Sequence, residues 1–181
     1  MNAWLIFTLA AFAAAVLYAA ARALHTYYHW RGTRLVVCPE TRDYASVTIN
    51  AKQAALKSLE GKNYLRLEDC NRWQQREKCA EPCLNQIVES ADGCLVRTYV
   101  DNFYRGKHCA ICRKPFLDVG WTEHLPAAID DNGNTVTWDR VPVPQLPKFL
   151  TSHMPVCWDC HVAATFRRQH SDMVTDRPWQ H

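Results

Sequence analysis

Apolar residues are concentrated at the beginning of the chain. Residues 3–21 (AWLIFTLAAFAAAVLYAAA) contain no charged side chain. At 1.5 Å per residue, an α-helix of this length together with its flanking residues can cross a hydrocarbon layer about 30 Å thick. Trp4 and Trp30 are placed to lie at the two membrane interfaces, where Trp is enriched. The pattern predicts a transmembrane anchor at residues 1–30, with residues 3–24 in contact with the lipid bilayer.

The charges beside this run predict its orientation in the membrane. No Lys or Arg precedes the run, whereas Arg22, Arg31 and Arg34 follow it. Because positively charged flanks stay on the cytoplasmic side, we expect the N-terminus outside and the rest of the chain in the cytoplasm. The alternative is a secretory signal peptide cleaved near Ala19–Ala21, but such peptides carry a basic segment before the apolar run. We therefore expect a single-pass protein of the cell inner membrane.

Beyond residue 30 the pattern changes to short segments of different kinds. Apolar residues at 35–38 and 45–49 flank the turn Pro39–Glu40 and predict two strands. Residues 51–60 (AKQAALKSLE) have helical composition, and Asn50 is a suitable N-cap. The first part of this region therefore combines strands with a helix.

The remaining pattern predicts one hairpin and three further helices. Two β-prone runs, 116–129 and 135–141, flank the sequence DNGN at residues 131–134, and Asn-Gly in this position favours a hairpin turn. The helices are expected at residues 81–90, with Pro82 in the first turn, and at residues 145–152 and 158–169, and residues 94–104 form an amphipathic segment. The predicted fold class is α+β. The predicted domains are the anchor at 1–30, a cysteine-rich α+β subdomain at 31–105 and a C-terminal module at 106–181.

The composition limits the classes of function. The formal net charge of the 181 residues is +3, which is too small to indicate a nucleic-acid-binding domain. Nine cysteines are more than an ordinary chain of this size contains, and fewer than a disulfide-rich miniprotein would carry. In the reducing cytoplasm, thiols serve as metal ligands more often than they form disulfides. We therefore interpret most of the cysteines as metal ligands.

Four cysteines occur as two regularly spaced pairs. Cys109 and Cys112 are followed, after 44 residues, by Cys157 and Cys160. One C-x2-C turn can aim both sulfurs at the same ion, and four thiolates complete the tetrahedral shell of structural zinc. The order of a C-x2-C turn, a hairpin and a second C-x2-C at the start of a helix resembles the treble-clef zinc finger. The resemblance covers residues 106–169.

A second set of four cysteines is spaced irregularly. Cys38 lies in the turn after the first strand, and Cys70, Cys79 and Cys83 follow in one segment. Cys79 and Cys83 are four apart at a predicted helix start, so their sulfurs are expected to face the same way. Zinc is the metal expected at this site, and an iron–sulfur cluster on the same thiolates is the alternative. Alternatively, these four cysteines are buried thiols that act as small apolar residues. We interpret the ninth cysteine, Cys94, as such a buried thiol. If Cys38 lies far from the other three, Cys94 is expected to take its place as a ligand.

The chain as a whole resembles a group of bacterial proteins. Residues 37–168, with CPE, DC-x8-C-x3-C, HCAIC and CWDCH, are similar to a set of bacterial membrane-anchored cysteine-rich proteins. This resemblance implies a common architecture and no particular reaction.

The C-terminal third also resembles the HNH nucleases, which build their site on a treble clef. The sequence EHLP at residues 123–126 stands where that family carries an acidic residue, His, an aliphatic residue and Pro. The resemblance implies His124 as the general base and His161 as a ligand of a catalytic divalent ion. The chain departs from the family at Ser152, where the family carries Asn, and it has no basic Gly-rich segment to meet DNA phosphates.

The sequence CWDCH at residues 157–161 matches the attachment pattern of c-type haem, with His161 as the axial ligand. Such attachment takes place outside the cytoplasm, and it would leave Cys109 and Cys112 without their partner pair. A haem here, or an iron–sulfur cluster on the other four cysteines, would make the protein an electron carrier.

An interaction module is the function that we favour over an enzyme. The chain contains no Gly-rich phosphate loop, no recognisable Ser/His/Asp arrangement and no carboxylate cluster at metal spacing. We therefore expect a zinc-binding interaction or accessory module at the cytoplasmic membrane face. Its expected partner is another membrane protein or complex.

Overall fold

The structure, a computed structural model, describes residues 3–62, 64–73, 79–117, 119–121 and 124–173. It mixes helix and sheet, with 48% helix and 17% strand. The chain divides into an N-terminal unit of residues 1–96 and a C-terminal unit of residues 97–181. The mixed composition agrees with the predicted α+β class, and the domain limits expected at residues 30 and 105 stay a prediction.

The first helix, α1 (Ala3–Trp30), is long and apolar enough to cross a membrane. A signal sequence or the core helix of a soluble protein meets the same criterion, but none of the described residues of α1 is buried. Residues near its C-terminal end lie beside α2 (Ala51–Leu59). The uncharged run therefore belongs to one continuous helix that extends beyond Ala21.

An antiparallel sheet organises the N-terminal unit. Its strands pair in the order β1 (Thr33–Val37), β2 (Tyr44–Ile49) and β3 (Leu67–Cys70). The helix α2 lies between β2 and β3 in the chain, and α3 (Leu84–Glu89) follows β3. The side-chain oxygen of Asn50 accepts a hydrogen bond from the N–H of Gln53 at 2.9 Å. The predicted N-cap of α2 is therefore confirmed.

The alternation of side chains along β2 builds the core of this unit. Ala45, Val47 and Ile49 are buried, whereas the residues between them are partly exposed. They pack in one cluster with four residues from β1, β3, α3 and the residue before α3, namely Val36, Leu67, Ile87 and Cys83. One of the candidate ligands, Cys83, is thus already part of the apolar core.

A buried arginine joins the end of α1 to β1. Arg34 is fully buried, and its guanidinium donates hydrogen bonds to the carbonyl oxygens of Trp30 at 2.7 Å and His29 at 2.8 Å. These carbonyls belong to the last turn of α1, where they have no partner within the helix. Burial disfavours the charged form of the Arg34 guanidinium and lowers its pKa. The hydrogen bonds to these two carbonyls lie at the negative end of the helix dipole and favour the charged form. The joint is therefore both capped and closed to water.

The C-terminal unit contains a second, smaller sheet. Its central strand β4 (Ala127–Ile129) pairs antiparallel with β5 (Thr135–Thr137) and β6 (Met154–Val156). Its helices are α4 (Val96–Tyr104), α5 (Leu146–Ser152) and α6 (Trp158–Gln169). Tyr104 is fully buried, and its hydroxyl donates to the carbonyl of Ala127 at 2.9 Å. This bond attaches α4 to the central strand.

Some elements follow the prediction and others differ from it. The helix α6 has the predicted limits, and the hairpin turn falls between β4 and β5 as expected. The helix expected from Glu81 begins only at Leu84, because Glu81 has a left-handed backbone with φ 57°. Pro82 therefore precedes α3 instead of lying in its first turn. The strands β3 and β6 were not predicted, since segments of four and three residues are too short to show an alternation.

Candidate metal centre

The turn that carries the first C-x2-C pair is shaped by backbone hydrogen bonds. The N–H of Cys109 donates to the carbonyl of Lys114 at 2.9 Å, and the N–H of Arg113 donates to the carbonyl of Cys109 at 3.0 Å. Arg113 closes the turn in the left-handed region, at φ 63°. The N–H groups of Ile111 and Cys112 donate to the sulfur of Cys109. A turn closed in this way holds both sulfurs on one side of the chain.

The second pair of sulfurs is carried by the junction of β6 and α6. Cys157 is the N-cap residue of α6, and Cys160 lies in its first turn. The N–H of Ala110 donates to the carbonyl of Pro155 at 2.8 Å, which attaches the turn that carries Cys109 and Cys112 to β6. The N–H of Cys157 donates to the sulfur of Cys109 at 3.4 Å. The protein's own backbone therefore holds the two pairs against each other.

The four sulfurs of the C-terminal unit form one cluster. The Sγ atoms of Cys109, Cys112, Cys157 and Cys160 all lie within 4.8 Å of one another, and those of Cys112 and Cys157 are 3.7 Å apart. A tetrahedron with a Zn–S distance of about 2.3 Å has an edge of about 3.8 Å. No disulfide is formed by any of the nine cysteines. The cluster can therefore hold a metal ion.

Backbone donors and burial act in opposite directions on these thiols. Burial disfavours ionisation of Cys109, but the N–H groups of Cys112, Cys157 and Ile111 outweigh it and lower the pKa of its thiol to about 6. Burial and the neighbouring sulfurs raise the pKa of Cys160. The protein itself thus favours one thiolate, whereas four thiolates together require a cation between them.

The other four predicted ligands line one cavity of the N-terminal unit. Cys38, Cys70, Cys79 and Cys83 all border a space of about 210 Å³. Burial, followed by the neighbouring thiols of Cys70, Cys79 and Cys38, raises the pKa of Cys83 to about 11. In the described part of the chain, however, the C-terminal cluster is the one group of three or more metal-ligating residues whose ligand atoms all lie within 4.8 Å. The N-terminal set is therefore gathered at one cavity but more widely spaced.

Two details of this set differ from the sequence-based expectation. Cys79 lies before the left-handed residue Glu81, and Cys83 is the N-cap residue of α3. The expectation that both project from one helix start is wrong, and they reach the cavity from separate segments. Cys94 is not among the described residues that line the cavity, and its sulfur lies 3.8 Å from the carbonyl of Gln86. Cys94 is therefore not a substitute for Cys38.

The two candidate catalytic histidines share one aromatic neighbour. The ring of His124 stacks on Trp158 with 5.5 Å between centroids, and His161 contacts the same ring at 5.6 Å. The Nδ1 atom of His161 lies 2.8 Å from the hydroxyl of Thr135. Burial and two nearby arginines lower the pKa of His161, which favours its neutral imidazole. Glu123 lies outside the described residues.

The sequence did not predict that Thr135 and Trp158 are neighbours of these histidines. Both contacts join elements that are distant in the sequence, β5 with α6 and residue 124 with α6. No local pattern of residues signals a pair of this kind.

Comparison with known proteins adds no relative. No protein-family model, curated protein or solved structure matches the chain. The resemblances to bacterial membrane-anchored proteins, to the treble clef and to HNH nucleases therefore gain no support from relatives. Function has to follow from the chemistry of the site.

Proposed function

We propose that the chain is a membrane-anchored zinc protein whose C-terminal unit is a zinc-stabilised interaction module at the cytoplasmic face of the inner membrane. The observation that carries the proposal is the 3.7 Å separation of the Cys112 and Cys157 sulfurs within a cluster of four thiols. This separation fits the edge of a tetrahedral zinc–thiolate site. Four thiolates leave no open position on zinc, so the ion stabilises the fold and has no catalytic role.

A single zinc ion fits the cluster better than a redox group does. In an iron–sulfur cluster the thiolates bind different iron atoms, so their sulfurs lie farther apart than around one ion. A c-type haem would need Cys157 and Cys160 for its covalent bonds, but both sulfurs lie beside those of Cys109 and Cys112. The clustered thiols therefore favour a single tetrahedral ion, for which zinc is the default, over a multi-iron cluster or a haem.

The order of elements around the cluster supports the same function. A turn with the first pair is followed by the β4–β5 hairpin and, after the inserted helix α5, by β6 and then α6 with the second pair. Apart from α5, this order resembles that of a treble-clef finger. A nuclease is less well supported. The Nδ1 atom of His161 is hydrogen-bonded to Thr135, which leaves Nε2 as its possible metal ligand, and His124 is stacked on Trp158. Beside these histidines the described residues provide no group of three or more metal ligands apart from the cysteine cluster.

Exposed apolar side chains around α1 support the membrane anchor. Trp4, Phe7, Phe12 and Leu17 are 83%, 72%, 70% and 70% exposed. A helix that is apolar on all sides requires a covering of protein or lipid, because exposed apolar surface is costly in water. The positive charges begin at Arg22, and this charge distribution favours the cytoplasmic side for the remainder of the chain.

A groove beside the cysteine cluster offers a surface for the partner. It has a volume of about 500 Å³ and lies between the turn of Cys109 and α6. Ile111, Ala163 and Ala164 form its apolar walls. Arg167 and Arg168 provide positive charge along the groove. An apolar segment that carries acidic residues, in the cytoplasmic part of another membrane protein, has the complementary chemistry.

Metal analysis of the full-length chain in detergent tests the zinc site. We expect a colourless protein that contains zinc, and the loss of one zinc ion per chain in Cys109→Ser and in Cys160→Ser. The matched variant Cys94→Ser removes a thiol outside the cluster and should keep the wild-type zinc content. Iron with acid-labile sulfide, or a haem absorption band, would contradict the zinc assignment.

Two further measurements test the membrane and the absence of catalysis. We expect the chain to resist alkaline extraction from membranes. We also expect protease to cut its C-terminal unit only when the protease has access to the cytoplasmic face of the membrane. A mature chain that lacks residues 1–21 would show a cleaved signal peptide instead. Divalent-dependent cleavage of plasmid DNA that disappears in His124→Ala would replace the interaction module with a nuclease.

A further inference from the structure

We propose that the N-terminal unit holds a second metal ion of the zinc type, bound by Cys38, Cys70, Cys79 and Cys83. This site goes beyond the function proposed above, which rests on the C-terminal cluster. The two sites lie in different units and share no ligand. Each can therefore be present without the other.

The turn that carries Cys38 repeats the turn that carries Cys109. The N–H of Cys38 donates to the carbonyl of Asp43 at 2.8 Å, and the N–H of Arg42 donates to the carbonyl of Cys38 at 2.8 Å. The corresponding distances in the turn at Cys109 are 2.9 Å and 3.0 Å, and the closing residues have φ values of 60° and 63°. Thr41 stands where the C-terminal turn has its second cysteine. The chain thus uses the same turn twice, first with one thiol and then with two.

Backbone contacts hold Cys79 at the cavity. The N–H of Glu81 donates to the sulfur of Cys79 at 3.4 Å, the same distance as from the N–H of Cys157 to the sulfur of Cys109. The N–H of Leu67 donates to the Glu81 carboxylate at 3.1 Å, which ties this loop to β3. Both units therefore place a backbone N–H donor against a thiol, from the same loop at Cys79 and from a distant segment at Cys109.

Cys83 and Cys70 reach the cavity from α3 and β3. The side-chain amide of Gln86 forms two hydrogen bonds with the backbone of Val37, at 2.6 Å and 3.1 Å. These bonds dock α3 on β1, so that Cys83 at the start of α3 is held beside the turn of Cys38. Cys70 is the last residue of β3, which pairs with β2. The four thiols therefore come from four segments and meet at one place.

The cavity itself suits a thiolate-bound ion. Apart from the thiols, its walls are mainly apolar, and they include Val36, Val47 and Trp73. The guanidinium of Arg72, which also borders the cavity, is paired with the Asp43 carboxylate at 3.0 Å. Soft thiolates in apolar surroundings select zinc over the hard cations magnesium and calcium. Since these sulfurs are more widely spaced than those of the C-terminal cluster, binding draws the four segments inward.

Metal stoichiometry of the full-length chain in detergent tests the second site. We expect two zinc ions per chain in the wild type and in Cys94→Ser, and one in Cys38→Ser, Cys70→Ser and Cys83→Ser. Cys109→Ser should also retain one, but it should lose the ion of the C-terminal unit. A wild-type content of one zinc that is unchanged in Cys38→Ser would overturn the second site and leave the proposed function intact. Iron with acid-labile sulfide that disappears in Cys38→Ser would overturn the assignment of zinc.

A rescue variant separates the loss of a ligand from misfolding. Because Thr41 occupies the position of the missing second cysteine, Thr41→Cys supplies a new thiol on the side of the turn that faces the ion. We expect Cys79→Ser to lose one zinc ion and the double variant Cys79→Ser/Thr41→Cys to regain it. Cadmium NMR of the substituted proteins should show two tetrathiolate signals in the wild type and the double variant, and one in Cys79→Ser. If the second signal does not return, the turn at Cys38 is not part of a metal site.

Discussion

The N-terminal unit has longer strands than the C-terminal unit, and its sheet and α3 share one apolar cluster. Its strands contain five, six and four residues, and the cluster has seven buried residues, one of which is the candidate ligand Cys83. Each strand of the C-terminal unit contains three residues, and one of the fully buried side chains is a clustered thiol, Cys109. In that unit the sulfurs connect the first turn, β6 and α6. Where the sheet is short, a cluster of thiols that can hold a metal ion lies beside the apolar core.

The largest effect is expected from opening the C-terminal cluster. Zinc binding contributes about 10–16 kcal/mol in zinc-finger peptides, which matches or exceeds the stability of about 5–15 kcal/mol of a whole domain. We therefore expect Cys157→Ser to unfold the C-terminal unit while the N-terminal unit keeps its amide hydrogen-exchange protection. The matched variant Cys38→Ser should leave both units folded, because the N-terminal unit has its own core. Equal loss of protection in both units would remove the distinction between them.

The second effect concerns the joint between α1 and β1. Arg34→Met keeps much of the buried volume but removes the two hydrogen bonds to the carbonyls of His29 and Trp30. We expect the free energy of unfolding of the N-terminal unit to fall by about 2–4 kcal/mol, since both bonds involve a charged donor. Denaturant unfolding followed by hydrogen exchange measures it, with Arg34→Lys as the variant that keeps the charge. An equal loss in the C-terminal unit would show that the two units are not energetically separate.

A smaller effect is expected from the hydroxyl that attaches α4 to β4. Tyr104→Phe leaves the carbonyl of Ala127 without its donor in a buried position. We expect a loss of about 1–2 kcal/mol in the stability of the C-terminal unit. Tyr44→Phe is the control, because Tyr44 is 45% exposed on β2 of the N-terminal unit. A thermal melt of the metal-loaded proteins compares the two, and an equal shift would contradict the role of the buried hydroxyl.

The smallest effect has the opposite sign and compares the two turns directly. Arg42 and Arg113 both adopt left-handed backbones, at φ 60° and 63°, which cost glycine much less than arginine. We expect Arg42→Gly and Arg113→Gly each to stabilise its own unit by up to about 1 kcal/mol, because relief of strain exceeds the added entropy of the unfolded chain. Calorimetry of the metal-loaded variants measures the shift. Stabilisation in one unit and destabilisation in the other would show that the turns differ.

Features that depend on neighbouring residues could be predicted from the sequence. The helix α6 and the N-cap Asn50 were placed correctly, because capping and helical periodicity are determined within a few residues. The same holds for the two C-x2-C pairs, since one turn brings each pair of sulfurs together. Their spacing alone was sufficient to group the four residues that the structure brings within 4.8 Å.

Features that depend on distant contacts could not be predicted in this way. The strand β6 obtains its hydrogen bonds from β4, far away in the sequence, and has no alternation of its own. Glu81 is held in a left-handed conformation that Gly or Asn would signal and Glu does not. The placement of Cys79 relative to Cys83 was therefore wrong. The four residues of the irregular set line one cavity, and their role as metal ligands stays a prediction.

The joint at Arg34 also determines how far the N-terminal unit can reach. The helix α1 ends at Trp30 and β1 begins at Thr33, so the fully buried guanidinium closes a connection of two residues. At 1.5 Å per residue, a helix of 28 residues is about 42 Å long, so about 12 Å of it would project from a 30 Å hydrocarbon layer. With such an anchor, the projecting part of α1 would hold the β1–β2 hairpin at a constant distance from the hydrocarbon layer. The hairpin would also change its orientation with every tilt of the helix. Encounters with other molecules would then be confined to a thin layer above the lipid headgroups.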